Sequence, residues 1–370
     1  MMLAVLLIVD VLLIASCAFT PYVTRKTELF GVTLPSAHTN DPELALMRAG
    51  YRNQLLASGV ALIAASLALG LYLDWKSALA PILWVGLVFA YLIAAFVLYL
   101  PKHRQMKRIK QSKNWDTDAD AAVIVVDTTP ATQDVVSPAW LLLFPLIWAL
   151  TVLGILVVWP NVPEQVPVHF DVNGVADVYQ PKGFGAVAPL LIVQVFLAAV
   201  ISGTYFLIRA SKRQIDAANP DTSRLQSIRF RRVTTGFEIA VGVVVSLAIG
   251  AMQIVTLHGA ENPWVIMTPI FAMLAIVLGG TYFLMFRVGQ GGSRLPEPRG
   301  ANSRNANVND DRFWKLGQFY FNPDDPALFV EKRFGVGYTV NLARPTTWVL
   351  LGGLLVLIAA LIVTTFWLTG

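Results

Sequence analysis

Residues 160–185 read PNVPEQVPVHFDVNGVADVYQPKGFG. An apolar run abuts this polar, proline-braced stretch on each side, 139–159 before it and 186–208 after it. At 1.5 Å rise per residue, a helix of about 20 apolar residues crosses a ~30 Å hydrocarbon layer. The stretch therefore reads as the tip of a membrane-crossing helical hairpin. Working outward, six more apolar segments follow the same rule: 2–20, 54–73, 79–100, 236–257, 265–286 and 348–368. The fold class expected is all-α, a polytopic membrane protein with eight transmembrane helices.

Composition agrees. The 370 residues are 56% hydrophobic and 14% charged, with mean hydropathy +0.61, whereas a soluble domain carries about 25% charge. The single cysteine, Cys17, excludes an internal disulfide and a cysteine zinc cluster.

Lysine and arginine set the orientation. Twenty-six of the 28 fall in four alternate polar segments: after the first, third, fifth and seventh apolar runs. The other two, Lys76 and Lys182, fall in the intervening loops. Basic loops stay in the cytoplasm, so 160–185 and both termini are expected outside. The same asymmetry accounts for the +5 net charge without nucleic acid. No basic residue precedes the first segment, so despite the lipoprotein-like Ile14-Ala15-Ser16-Cys17 it reads as a retained span (1–22) and not as a signal peptide.

Three spans running inward open alike, Ala80-Pro81-Ile82-Leu83, Ala188-Pro189-Leu190-Leu191 and Thr268-Pro269-Ile270-Phe271. Two also close alike, with Gly203-Thr204-Tyr205-Phe206-Leu207 before Arg209 and Gly280-Thr281-Tyr282-Phe283-Leu284 before Arg287. Proline suits a first helical turn, where its missing N–H has no partner to lose. The repeat implies three hairpins of parallel orientation, 54–100, 139–208 and 236–286, flanked by lone first and last helices. Cytoplasmic loops at 23–53, 101–138 and 209–235 join them. Within these, Asp41-Pro42-Glu43 opens a short helix over 41–52, and 121–126 (AAVIVV) reads as a strand. Residues 287–309 read as a flexible linker, rich in Gly, Asn, Ser and Pro. Residues 310–345 carry too many aromatics to stay solvated and are expected to form a small α+β module. Its expected parts are a helical turn at 310–316, a turn at Asn322-Pro323-Asp324-Asp325 and a strand near 335–342.

The candidate ligand-binding residues lie on the outer loop: Pro163 and Pro167 as braces, then His169, Phe170, Asp171, Gly174 and Asp177. In a strand His169 and Asp171 share a face. One histidine falls short of the three or four ligands a metal needs, so the charges are expected to meet water. Within the spans, Asp10, Gln194 and Gln253 are polar. Interhelical hydrogen bonding is the default for the two glutamines. Asp10 is open between a functional midplane carboxylate and one bonded to a neighbouring Ser, Tyr or Gln. Glu238 is expected to pair with Arg231 or Arg232. No phosphate loop, nucleophile elbow, paired-histidine zinc motif or kinase signature is present, so no catalytic residue, metal or cofactor is assigned.

Pro163-x-x-x-Pro167-Val168-His169-Phe170, then Gly174-x-x-Asp177, then Lys182, resembles bacterial membrane proteins related to the sporulation-delay immunity protein, the SdpI-like group. Trp314-x-x-Gly317, Phe319-Tyr320-x-Asn322-Pro323, Phe329-Val330-x-Lys332-Arg333 and Gly337-Tyr338-x-x-Asn341 resemble a second, uncharacterised bacterial domain that accompanies it. The resemblance implies a multi-pass bacterial plasma membrane protein in contact with membrane lipids. It also implies a non-enzymatic role in immunity to a membrane-active peptide toxin, or in relaying an envelope ligand to a cytoplasmic regulator. A transporter or lipid flippase is the alternative class. Oligomeric state stays open.

Overall fold

The computed structural model describes residues 2–73, 79–115, 134–170, 175–211, 220–259, 263–295 and 311–369. The strand expected at 121–126 lies outside them. Among the described residues, eight helices are long and apolar enough to cross a membrane. They are α1 (Met2–Val23), α2 (Pro42–Tyr72), α3 (Leu79–Ser112), α4 (Leu143–Val158, extended by 3-10 turns to a span of Pro138–Asn161), α5 (Phe184–Ala210), α6 (Pro220–Leu257), α7 (Pro263–Phe283) and α8 (Pro345–Thr369). Short antiparallel hairpins fill the polar segments: β1 (Glu28–Leu29) with β2 (Val32–Thr33), β3 (Gln165–Phe170) with β4 (Ala176–Pro181), β5 (Trp314–Lys315) with β6 (Phe319–Tyr320), and β7 (Phe329–Glu331) with β8 (Tyr338–Val340).

The chain divides into two compact units. One comprises 1–130, 211–230 and 284–344, the other 131–210, 231–283 and 345–370.

In the first unit α1, α2 and α3 pack in sequence. Gly59 and Gly70 of α2 let Ile14 and Leu3 of α1 approach closely. Tyr51 donates to the Ala95 carbonyl and Tyr91 to the Leu55 carbonyl, each at 3.2 Å, tying α2 to α3. The short helix expected at 41–52 is the first part of α2. Asp41 caps it by accepting from the Glu43 N–H at 3.1 Å, and nothing breaks the helix before Tyr72. The largest apolar cluster lies at the basic ends of these helices, where Leu29, Phe30, Val32 and Leu34 are wrapped by Leu44, Met47, Tyr51, Leu55, Tyr99 and Met106. Residues 27–34 are thus core, with both faces of the hairpin buried.

The 311–344 segment folds around Trp314, Tyr320 and Val330. Its expected helical turn is a 3-10 turn at Asp311–Phe313, its turn falls at Asn322–Asp325 with Asn322 Oδ1 accepting from the Asp324 N–H, and its strand is β8. The start of the expected linker is packed. Gln290 is fully buried, its side chain donating to the Gly337 carbonyl at 3.0 Å and accepting from the Gly337 N–H at 2.6 Å. Residues 296–310 lie outside the described set.

In the second unit α4, α5 and the 231–257 part of α6 interlock through small residues. Gly242 admits Phe144 and Ile201, and Gly154 admits Ile254. Pro189 and Pro269 fall inside α5 and α7, beyond the first turn, because Phe184 and Pro263 start those helices earlier than the repeat implies. Glu238 does not meet Arg231 or Arg232 through its Oε1, which accepts from the Thr204 hydroxyl. Thr204 lies on α5, one packed helix away, whereas both arginines precede Glu238 on its own helix.

Candidate functional site

Within the polar tip, β3 and β4 pair as an antiparallel hairpin. Val162 and Val166 bury against Ile155 and Val158 of α4, Ala186 of α5 and Leu257 of α6, which fixes the base of β3 to three helix ends. Lys182 clamps the return. Its backbone N–H donates to Glu164 O at 2.9 Å, its Nζ donates to Val162 O at 3.1 Å, and the ammonium lies 5.3 Å from the centre of the Trp159 ring. Pro167 is buried in β3, which has a single partner strand, so its missing N–H interrupts no ladder on the open edge.

Register places His169 opposite Val178 and Phe170 opposite Ala176, with an irregularity that leaves Asp177 between them. His169 Nδ1 lies 2.6 Å from Asp177 Oδ1, and both side chains are exposed. Among the described residues, the carboxylate that meets His169 therefore comes from across the hairpin. Asp171 and Gly174 lie outside the described residues. Pro163 is exposed beside the α6–α7 connection, near Gly259. Around the His169–Asp177 pair the hairpin presents Val175, Val178 and Tyr179, with Phe184 at its foot 72% exposed. Among the described residues no three His, Cys, Asp or Glu side chains come together to hold a metal.

The intramembrane candidates separate. Gln194 donates to Thr151 Oγ1 at 3.2 Å and to the Ser246 carbonyl at 2.9 Å, linking α5 to α4 and α6. Gly250 makes room for this node, since a Cβ there would lie 2.5 Å from Thr151 Oγ1. Gln253 donates to the Ala186 carbonyl at 3.5 Å. Asp10 is fully buried on α1, and among the described residues neither carboxylate oxygen has a hydrogen-bond partner.

Two further sites escaped sequence reasoning, both in the first unit. One is a junction of turns. Phe30 and Gly31 both have positive φ, 47° and 71°, the pattern of a tight two-residue hairpin turn. Leu316 and Gly317 repeat it with 53° and 71°. The two glycines touch, and Gly31 has no room for a Cβ, which would lie 2.5 Å from Gly317 Cα and closer still to its carbonyl oxygen. Tyr99 Oη lies 2.9 Å from the Phe30 carbonyl and 3.0 Å from the Leu316 carbonyl, and His103 Nδ1 lies 2.8 Å from Phe30 O. Phe334 stacks on Phe30 and lies 4.8 Å from the Tyr99 ring. The other site is ionic. Arg25 pairs with Glu331, Arg333 with Asp311, and Lys110 with Asp311 at 2.7 Å. Thr33 donates to Asp311 through its hydroxyl at 2.9 Å. Glu28 is buried among these groups. Burial pushes its carboxyl up to about 7, against the pull of Arg25 and Arg333. Burial likewise lowers the Arg333 guanidinium to about 10. Paired X-Gly dipeptides in short β-prone strings were the available signal for the junction. Nothing local in sequence pairs residue 31 with residue 317.

Eight spanning helices carrying small β-hairpins define the class, a multi-pass membrane protein. Two family models match within it. A domain of unknown function (DUF1648) matches residues 146–193, from within α4 through the β3–β4 hairpin into α5. A family of unknown function (DUF5808) matches residues 323–348, through β7 and β8 to the start of α8. No curated protein and no solved structure matches the chain.

Proposed function

We propose that this is a non-enzymatic protein of the bacterial plasma membrane that recognises a peptide, lipid or envelope component through the β3–β4 hairpin, in an immunity or signal-relay role. The observation that carries the reading is the build of the hairpin. Its base is fixed to three helix ends, while its far end offers an exposed His169–Asp177 pair among Val175, Val178 and Tyr179. Exposed apolar side chains around a polar pair on a rigid support are characteristic of recognition surfaces. The charge alternation supports an outward hairpin and a cytoplasmic 311–344 segment, and the resemblance to the SdpI-like group supports immunity.

The test replaces His169 and Asp177 with alanine in cells challenged with membrane-active peptides. Loss of protection or of signalling at unchanged protein level is expected, and an unchanged phenotype refutes the reading. Labelling an engineered Val175→Cys with an impermeant thiol reagent on intact cells checks the orientation. Failure to react before lysis inverts it. A photoreactive residue at Phe170 then identifies the neighbour. A transporter or flippase is favoured only by the buried Asp10 carboxylate and the Gln194 and Gln253 amides. Its mark is uptake or flipping in proteoliposomes that vanishes with Asp10→Asn.

A further inference from the structure

We propose that Glu28 is the proton-sensing element of an ionic latch that holds the 311–344 module on the basic ends of α1–α3, closing when Glu28 is protonated and loosening when it is charged. The inference is independent of what the β3–β4 hairpin binds.

The geometry supplies both halves. The module contributes Asp311, Glu331 and Arg333, with Glu331 and Arg333 two residues apart and so on one face of β7 and its extension. The helix side contributes Arg25, Glu28 and Thr33 from the first loop and Lys110 from α3. His103 and Tyr99 of α3 approach from below through the Phe30 carbonyl. Three cations and three carboxylates thus share one buried cluster. Arg25 holds Glu331, while Lys110 and Arg333 hold Asp311. Glu28 Oε2 is buried and, among the described residues, has no hydrogen-bond partner. A charged Glu28 would therefore sit desolvated beside two other carboxylates, a costly arrangement. A neutral Glu28 removes that repulsion and leaves the three ion pairs intact.

The sign follows from linkage. The docked state raises the Glu28 carboxyl to about 7, whereas an undocked Glu28 in water returns to the ordinary carboxylate range. The docking advantage is complete below that ordinary range and is lost as pH rises through about 7. Arg333, lowered by burial to about 10, keeps its charge across this window.

The test uses the full chain in lipid nanodiscs, with Cys17→Ala and spin labels at the exposed positions Arg108→Cys and Asp324→Cys. Pulsed electron resonance reads the distance distribution between pH 5.5 and 8.5. One short distance is expected at low pH, with a longer population growing at least fivefold through a midpoint within about a unit of 7. Glu28→Gln is expected to keep the short distance throughout. A pH-independent wild-type distribution overturns the proposal, as does a Glu28→Gln variant that still titrates. If Glu28→Gln fails to accumulate, the wild-type midpoint decides, and a midpoint outside that unit overturns it.

Discussion

Replacing Gly31 by alanine should release the 311–344 segment more than any other single methyl group added there. Two effects combine. A non-glycine residue at φ +71° carries about 1–2 kcal/mol of backbone strain. The new Cβ also meets the Gly317 backbone at 2.5 Å, and no side-chain rotation can relieve a clash with backbone. Overpacking of this kind adds about 1–3 kcal/mol. A total near 3 kcal/mol corresponds to roughly a hundredfold rise in the open population. Gly337→Ala is the control. Its φ is also positive, at +113°, but no atom lies within 4 Å of the added methyl. It should carry only the conformational part, roughly a tenfold rise. The assay is trypsin cleavage after Arg333 in the detergent-solubilised full chain. Arg333 is only 2% exposed, so cleavage waits for opening. Equal acceleration by both variants would refute the tip-to-tip contact.

Three other outcomes are expected. Arg333→Met leaves Asp311 with one fewer cation in a buried setting, and should destabilise the first unit by about 3–5 kcal/mol, read as a lower thermal midpoint. Gly250→Val should lower the thermal midpoint by displacing Thr151 and Gln194, whereas Gly203→Ala, with nothing within 4 Å, should leave it in place. Lys182→Met removes the Val162 and Trp159 contacts, and amide exchange across 165–170 should quicken about fivefold, as expected for a loss near 1 kcal/mol; unchanged exchange would refute the clamp.

The spans were legible because lipid demands a long apolar run, which shows in sequence without any partner. The turn at Asn322–Asp325 was legible for a local reason too, since an asparagine side chain bonds its own backbone two residues on. What sequence missed depends on distant partners. His169 found Asp177 through hairpin register, Glu238 found Thr204 through helix packing, and Phe30-Gly31 found Leu316-Gly317 across nearly the whole chain. Periodicity carries no information about such pairings. The extent of α2 was missed because a change from polar to apolar composition near residue 53 marks the edge of lipid, not the end of a helix.

That unbroken α2 has a mechanical meaning. Its 31 residues make a rod longer than the ~30 Å hydrocarbon layer by roughly 15 Å. Bilayers that thin or thicken are met by helices that lean, and a lean of about 10° sweeps such a protruding stub through roughly 3 Å. Two glycine turns pressed together without slack cannot absorb a displacement of that size. A thinner or thicker bilayer is therefore expected to load, through a lever, the fit between the chain's first loop and its C-terminal segment.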